Sequence, residues 1–230
     1  MKNSELNKMQ ASWDNIAEGY DTYVTPTNNW RLPKDALNRA GFIQGMKFLD
    51  VASGSGALSI PAAHLGAQVT AVDISSNMIR LLNKRAQAEG FSNLEGKVMD
   101  GHTLEFDDNS FDMSRSQFGV MLFPDLPKGL REMVRVTRKG GSVLLVTYGT
   151  PDKVEFLTYF LHALQIVVPG FTGPPMDPPP LPFQVSEPKV LRQKMTEAGL
   201  KEINIQQDVE QLNPHCSFLE LNKKFQFIFC

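Results

Sequence analysis

Residues 48–56, Phe-Leu-Asp-Val-Ala-Ser-Gly-Ser-Gly, constrain the fold more than any other stretch of this chain. A short apolar run reaches Asp50, passes through Ala52 and Ser53, and turns on Gly54 and Gly56. A helical pattern then runs from Ala57 to Leu65 and stops at Gly66. That order is a strand, a small-residue turn and a helix amino terminus, which lets a ligand approach bare backbone. Two further apolar runs end the same way, Val69-Thr-Ala-Val in Asp73 and Leu94 to Val98 just before Asp100. Carboxylates after three successive strands form a nucleoside-binding pattern.

Apolar runs predict strands over 46–51, 67–72, 94–99, 110–116 and 140–148, with helices over 57–65, 77–89 and 125–137 between them. Gly66 and Gly90 stand where carboxyl-terminal caps belong, and Ser75 or Ser76 is the amino cap. Strands separated by single helices imply a parallel sheet covered on both faces. Such sheets bind ligands at the carboxyl ends of their strands, where Gly54, Asp73, Asp100 and Ser116 would gather. Met9, Trp13, Ile16, Tyr20 and Tyr23 repeat at helical spacing and predict an amphipathic opening helix.

The alternation breaks at Thr150. An apolar helix carrying Val154, Leu157, Phe160, Leu161, Leu164 and Val168 leads into the proline-dense loop Pro174 to Pro188. Prolines exclude regular structure there, so 150–187 reads as an insertion over the strand ends. A helix near 188–198, capped by Gly199, a strand near 201–209 and a final strand over Phe225 to Cys230 follow. The expected fold class is α/β, a doubly wound, mostly parallel seven-stranded sheet with an amino-terminal helix and a helix-and-loop lid. One domain, 1–230, would comprise a helical cap (1–40), a binding core (41–149), the lid (150–187) and a closing helix with strands (188–230).

A chain of 230 residues with 42% apolar and 21% charged content supports one substantial core. The net charge of −2 gives no electrostatic case for nucleic acid or an anionic membrane. Cys216 and Cys230 make neither a disulfide framework nor a metal-ligand spacing, so a reducing, cytoplasmic setting without a metal is the economical reading. The polar amino terminus is no signal peptide, and Val154 to Val168 is too short and too polar for membrane insertion.

Two cofactor classes use a glycine turn between a first strand and helix. The dinucleotide fingerprint needs a third glycine, and here Gly54-Ser-Gly56-Ala-Leu-Ser59 has serine in its place. Asp50 and Asp100 would add repulsion near a pyrophosphate. They suit a cofactor carrying an ammonium and a sulfonium, which is S-adenosyl-L-methionine.

Over about residues 10–150 the chain resembles the class I S-adenosylmethionine-dependent methyltransferases, in the small-molecule group that includes the ubiquinone/menaquinone C-methyltransferases. Leu49 to Gly56 matches the first motif, with Ser53 and Ser55 in place of the usual Cys and Thr. Val69 to Met78 matches the second, Asp100-Gly101 to Phe106 the third, and Ser110-Phe-Asp112 with Ser116-Gln-Phe-Gly119 the fourth. Glu132 to Gly141 matches the run before the fifth strand, with Lys139 where proline is usual, and Trp13 to Asp21 matches the opening helix. The Asp177-Pro-Pro-Pro180 run does not follow the fourth strand, so it is no Asn/Asp-Pro-Pro-Tyr motif.

The resemblance implies a Rossmann-like methyltransferase fold and a set of cofactor contacts. Gly54 would leave room for the methionine part and Asp50 would orient its ammonium, with Ala52, Ser53 and Gly56 completing the turn. Asp73 would accept from both ribose hydroxyls, with Ile74 and Met78 against adenine. Asp100 would accept from the adenine amino group, beside the backbone of Gly101 or His102. Ser116 and Gln117 would lie near the transferred methyl, and Tyr20 would close the site. Trp13 and Tyr20 read equally as hydrophobic anchors, and Met113 and Met121 as packing residues. No residue pair announces a catalytic base; His102 and Tyr20 are the weak candidates, and a lone loop histidine is more often solvated.

The expected reaction is direct displacement, leaving S-adenosyl-L-homocysteine, onto an O, N or C nucleophile of a small apolar acceptor. Phe156, Leu157, Phe160, Leu164, Phe171, Leu181 and Phe183 of the insertion would wall that acceptor. The same apolar surface over 154–168 could instead form a homodimer contact. Two other readings stand beside this one: a non-catalytic methyltransferase-like binding subunit and a nucleotide-dependent oxidoreductase.

Overall fold

Phe48, Leu49 and Val51 are fully buried in β1 (Lys47–Val51), as a strand covered on both faces requires. The computed structural model that shows this describes residues 3–27, 37–38, 41–174, 177–212 and 221–229. The side chains of Phe156 and Leu157, and the residues Cys216 and Cys230, lie outside the described set.

From β1 the chain continues through α2 (Ser59–His64), β2 (Gln68–Asp73), α3 (Ser76–Ala88), β3 (Leu94–Val98) and β4 (Phe111–Gln117). Then come α4 (Leu126–Val136), β5 (Thr137–Tyr148), α5 (Glu155–Val167), α6 (Pro188–Glu197), β6 (Asn204–Leu212) and β7 (Leu221–Phe229). Helix α1 (Asn3–Gly19) precedes them and widens into a π turn over Tyr20–Val24. The sheet has seven strands in the order β3-β2-β1-β4-β5-β7-β6. Its first five pair in parallel, and β7 inserts antiparallel between β5 and β6. The parallel pairing is therefore confined to five of the seven strands expected.

Two apolar layers hold the sheet. On one face Val51, Leu130, Met133, Leu144, Leu191 and Met195 join the sheet to α4 and α6. On the other, Phe48, Ala62, Val69, Leu82 and Met113 join it to α2 and α3. Gly66 and Gly90 adopt positive φ at helix ends, and the Ser75 hydroxyl accepts from the Met78 amide at 3.1 Å. Met113 and Met121 are core residues.

The charged run before β5 is a clamp. Arg135 donates to the carbonyls of Leu104 and Phe106, and Glu132 accepts from the Leu104 amide, so α4 fixes the segment that follows Asp100. Within the insertion α5 packs on β7, which leaves Tyr159, Phe160 and Ile166 exposed, and His162 is exposed as well. The chain then returns to the core at Phe183 and Val185, and Gln184 donates to the carbonyls of Met121 and Phe123. No helix among the described residues is long and apolar enough to cross a membrane.

Candidate functional site

The carboxyl ends of β1, β2 and β4 open into a cleft with about 770 Å³ of atom-free space, part of it facing solvent. Its floor is the turn Ala52–Ser55, with Asp50 below and Asp73 and Ile74 from the next strand. Met78 enters from α3, and Met9, Trp13 and Tyr20 from α1 and its π turn. Gln117, Phe118, Gly119, Leu122 and Phe123 close the β4 side.

The turn is held by hydrogen bonds that point inward. Asp73 accepts from the Gly54 amide at 2.8 Å on one oxygen and from the Ser75 amide at 2.9 Å on the other. Each carboxylate oxygen keeps a further lone pair, so the group can still accept from a diol. Gly54 has φ +54°, and a Cβ there would stand 4.0 Å from Met78 Sδ and Tyr20 Cε1, in the open cleft. Two residues other than glycine also adopt left-handed backbone at this point, Ala52 (φ +56°) and Phe118 (φ +57°). Such strain persists where the surroundings impose it and concentrates at ligand sites. The two strand ends nearly touch, because a Cβ on Gly119 would lie 2.5 Å from Ala52 Cβ.

Burial dominates the electrostatics. Asp50 is 1% exposed; burial pushes its carboxyl up to about 6, against the Ser59 hydroxyl 2.6 Å away and the nearby Arg115 charge. Burial likewise raises Asp73, although the Ser75 and Gly54 amides oppose it. Tyr20 is driven to about 12 by burial and by Asp73, so its phenol stays protonated.

A row of polar contacts seats α1 over the cleft. Asp14 accepts from the Ser75 hydroxyl at 2.6 Å and the Asn77 amide at 2.9 Å, at the amino terminus of α3. Glu18 pairs with Arg80, and Asp21 with Arg85. Trp13 meets Tyr20 edge-on at 6.0 Å, and both pack on Met78 and Leu81.

Of the residues singled out in the sequence, Tyr20, Asp50, Ala52, Ser53, Gly54, Asp73, Ile74, Met78 and Gln117 line this cleft. Gly56, Asp100, Gly101, His102 and Ser116 are not among the residues that line it, though the Asp100 side chain stays 26% exposed. Gly56 (φ +95°) faces Leu82 and Ile60, and its role is to let the turn pack on α3. The Ser116 hydroxyl is fully buried and accepts from the Val120 amide at 2.9 Å, which shapes the loop after β4. Gly101 lies against Phe123, where a Cβ would come within 2.5 Å of the ring.

His102 is buried, not solvated. Its backbone amide (2.9 Å) and Nδ1 (2.7 Å) both bond to one oxygen of Asp100, and its ring lies 4.4 Å from that of Phe123. Burial alone would raise Asp100, but these two bonds and the nearby Lys128 charge together hold the carboxyl below its usual range. His102 is buried and does not line the cleft, and the Tyr20 phenol is held protonated, so neither presents a free base there.

The apolar wall also differs from expectation. It comes from α1 and from Phe118, Leu122 and Phe123, while Phe160 and Leu181 of the insertion are exposed and Phe183 packs toward Tyr148. Instead α5 packs against β7, the antiparallel strand between β5 and β6. Arg115 escaped notice in the sequence because its meaning depends on strand order. It is fully buried and sits opposite Asp50 on the neighbouring strand.

A cofactor with a ribose, an ammonium and a sulfonium fits this donor set: two buried carboxylates, a glycine turn open to the cleft, and apolar rings around it. Comparison with known proteins agrees. The family model described as the ubiE/COQ5 methyltransferase family matches residues 1–172. A demethylmenaquinone methyltransferase of Bacteroides fragilis is 32% identical over 170 residues, covering 70% of this chain and 69% of that protein. Among solved structures, an S-adenosylmethionine-dependent methyltransferase from Thermotoga maritima superposes with a TM-score of 0.64 at 16% identity, covering 94% of this chain and 96% of that one. Haemonchus contortus phosphoethanolamine N-methyltransferase 2, in complex with S-adenosyl-L-methionine, gives 0.62 at 19% identity, covering 87% of this chain and 52% of that one.

Proposed function

This chain belongs to the ubiE/COQ5 methyltransferase family and is an S-adenosylmethionine-dependent methyltransferase, and we propose that its acceptor is a small, largely apolar ring compound of the quinol type. The observation that carries the reading is the pairing of a ribose-ready Asp73 with an aromatic and aliphatic wall in one cleft. The name of the Bacteroides fragilis relative supports the quinol class.

When bound, the cofactor supplies a methyl group already activated on a sulfonium. The residues then have to bind, align and exclude water. Asp73 would hold the ribose with the lone pairs left by its two amide bonds, and Asp50 would hold the ammonium. Ala52, Ser53 and Gly54 would leave backbone space for the methionine part, with Gln117 beside it. Ile74, Met78 and Trp13 would pack on adenine, and Asp100, set by His102, would accept from its amino group. Alignment of two reactants can lower a barrier by about 7–11 kcal/mol. Helix α1, seated by Asp14, Glu18 and Asp21, is the proposed cap that keeps water out. The insertion 150–187 is the proposed outer cover of the acceptor, since Gln184 already braces the loop that carries Leu122 and Phe123. The exposed face of α5 could serve that cover or a homodimer, and two cysteines without a framework suit a cytoplasmic setting.

The test is anaerobic incubation with S-adenosyl-L-methionine and a short-chain demethylmenaquinol, followed by mass spectrometry. A singly methylated product, lost in Asp73→Ala, supports the proposal. Turnover with hydrophilic amines but not with the quinol would overturn the acceptor class.

A further inference from the structure

Arg115 is a fully buried guanidinium in the middle of a strand, and among the described residues neither Nε nor Nη1 has a partner. Taking such a charge from water is costly unless something nearby uses it. Burial lowers its pKa to about 9, partly restored by Asp50, so it remains a cation at neutral pH. Among the described residues its hydrogen bond runs from Nη2 to Gln117 Oε1, at 3.1 Å.

That bond fixes which way the Gln117 amide points. A guanidinium only donates, so the amide oxygen must face it and the amide nitrogen must face away. Gln117 lines the cleft, and its Nε2 is buried without a partner. Asp50, opposite Arg115 on β1, lines the same cleft. An anionic acceptor and an unpaired donor backed by a cation therefore stand side by side.

One kind of group satisfies both, the zwitterion of an α-amino acid. Asp50 and Asp73 attract the cationic parts of a sulfonium amino acid and repel its carboxylate. Gln117 supplies the hydrogen bond, its amide turned outward by the Arg115 guanidinium behind it. We propose that Arg115 is a positioning residue that locks the Gln117 amide as donor to the α-carboxylate of the cofactor.

This rests on the cofactor reading of the cleft, and the experiment separates the two. Calorimetric titrations would compare S-adenosylhomocysteine with its decarboxylated analogue, S-adenosyl-3-thiopropylamine, on the wild type, Gln117→Leu, Arg115→Met and the double variant. Each single variant is expected to weaken S-adenosylhomocysteine by roughly tenfold to a hundredfold, the range for a hydrogen bond to a charged group. Binding of the decarboxylated analogue should not change. The double variant should lose no more carboxylate preference than Gln117→Leu alone, because Arg115 acts through the amide. Gln117→Leu leaves the arginine in place and carries the test if Arg115→Met fails to fold. Equal weakening of both ligands, or no weakening of either, overturns the proposal while leaving the cofactor reading intact. A wild type that binds neither ligand overturns both.

Discussion

The backbone amide of Gly54 donates to the carboxylate of Asp73 across 2.8 Å, so the turn after β1 and the end of β2 form one rigid floor. Asp73 thus has two duties, bracing the turn and presenting lone pairs to a ligand.

Gly54 and Gly119 separate space for a ligand from space needed by the fold. Gly54→Ala puts a methyl into the open cleft and should cost about 1 kcal/mol of stability for left-handed backbone. S-adenosylhomocysteine binding should be lost almost completely. Thermal unfolding beside titration checks the contrast, and a large stability loss with intact binding would refute it.

Gly119→Ala drives a Cβ to 2.5 Å from Ala52 Cβ and 2.9 Å from Ser116 Oγ. Overpacking of this kind should destabilise the apo protein by about 1–3 kcal/mol. Denaturant unfolding of the unliganded variant measures it directly.

Asp50 predicts opposite pH trends for stability and binding. Its folded pKa, about 6, lies above the ordinary 3.8, so between those values the folded state holds more protons than the unfolded one. Stability of the apo protein should therefore fall as pH rises through this window, by about 3 kcal/mol if Asp50 acts alone. Cofactor affinity should rise over the same window, because only the carboxylate attracts an ammonium. Asp50→Asn should reduce both slopes to the part that Asp73 contributes, since burial raises that carboxyl as well; a variant that keeps the full binding profile would assign it to another group.

Asp14 ties α1 to the start of α3 through Ser75 and Asn77. Asp14→Ala should destabilise by about 1 kcal/mol, as loss of a helix-terminal acceptor does. It should also accelerate S-adenosylhomocysteine release more than it slows binding. Stopped-flow Trp13 fluorescence resolves the two rates, and an unchanged release rate would show that α1 is no cap.

β1 and β2 were legible because each is an apolar run closed by a carboxylate, and Asp50, Asp73 and Gly54 stand together as that pattern implies, whereas β3 carries Glu95 and Lys97 and leaves Val98 exposed at the sheet edge. Less was legible where meaning depends on neighbours distant in sequence. Arg115 in a strand reads as a solvated face until strand order sets it opposite Asp50. His102 reads as a loop residue until Phe123 covers its ring. Apolar content alone points the acceptor wall to the insertion, yet the described residues of the cleft wall come from α1 and the loop after β4. The antiparallel placement of β7 between β5 and β6, against which α5 packs, has no local sequence signature.

Calorimetric titration of S-adenosylhomocysteine into the wild type and Asp73→Ala tests the central claim most directly. The account predicts clear binding by the wild type and at least a tenfold loss in the variant, the scale of roughly 1.4 kcal/mol or more for charge-assisted hydrogen bonds. No binding by folded wild-type protein, or equal binding by both, would contradict it.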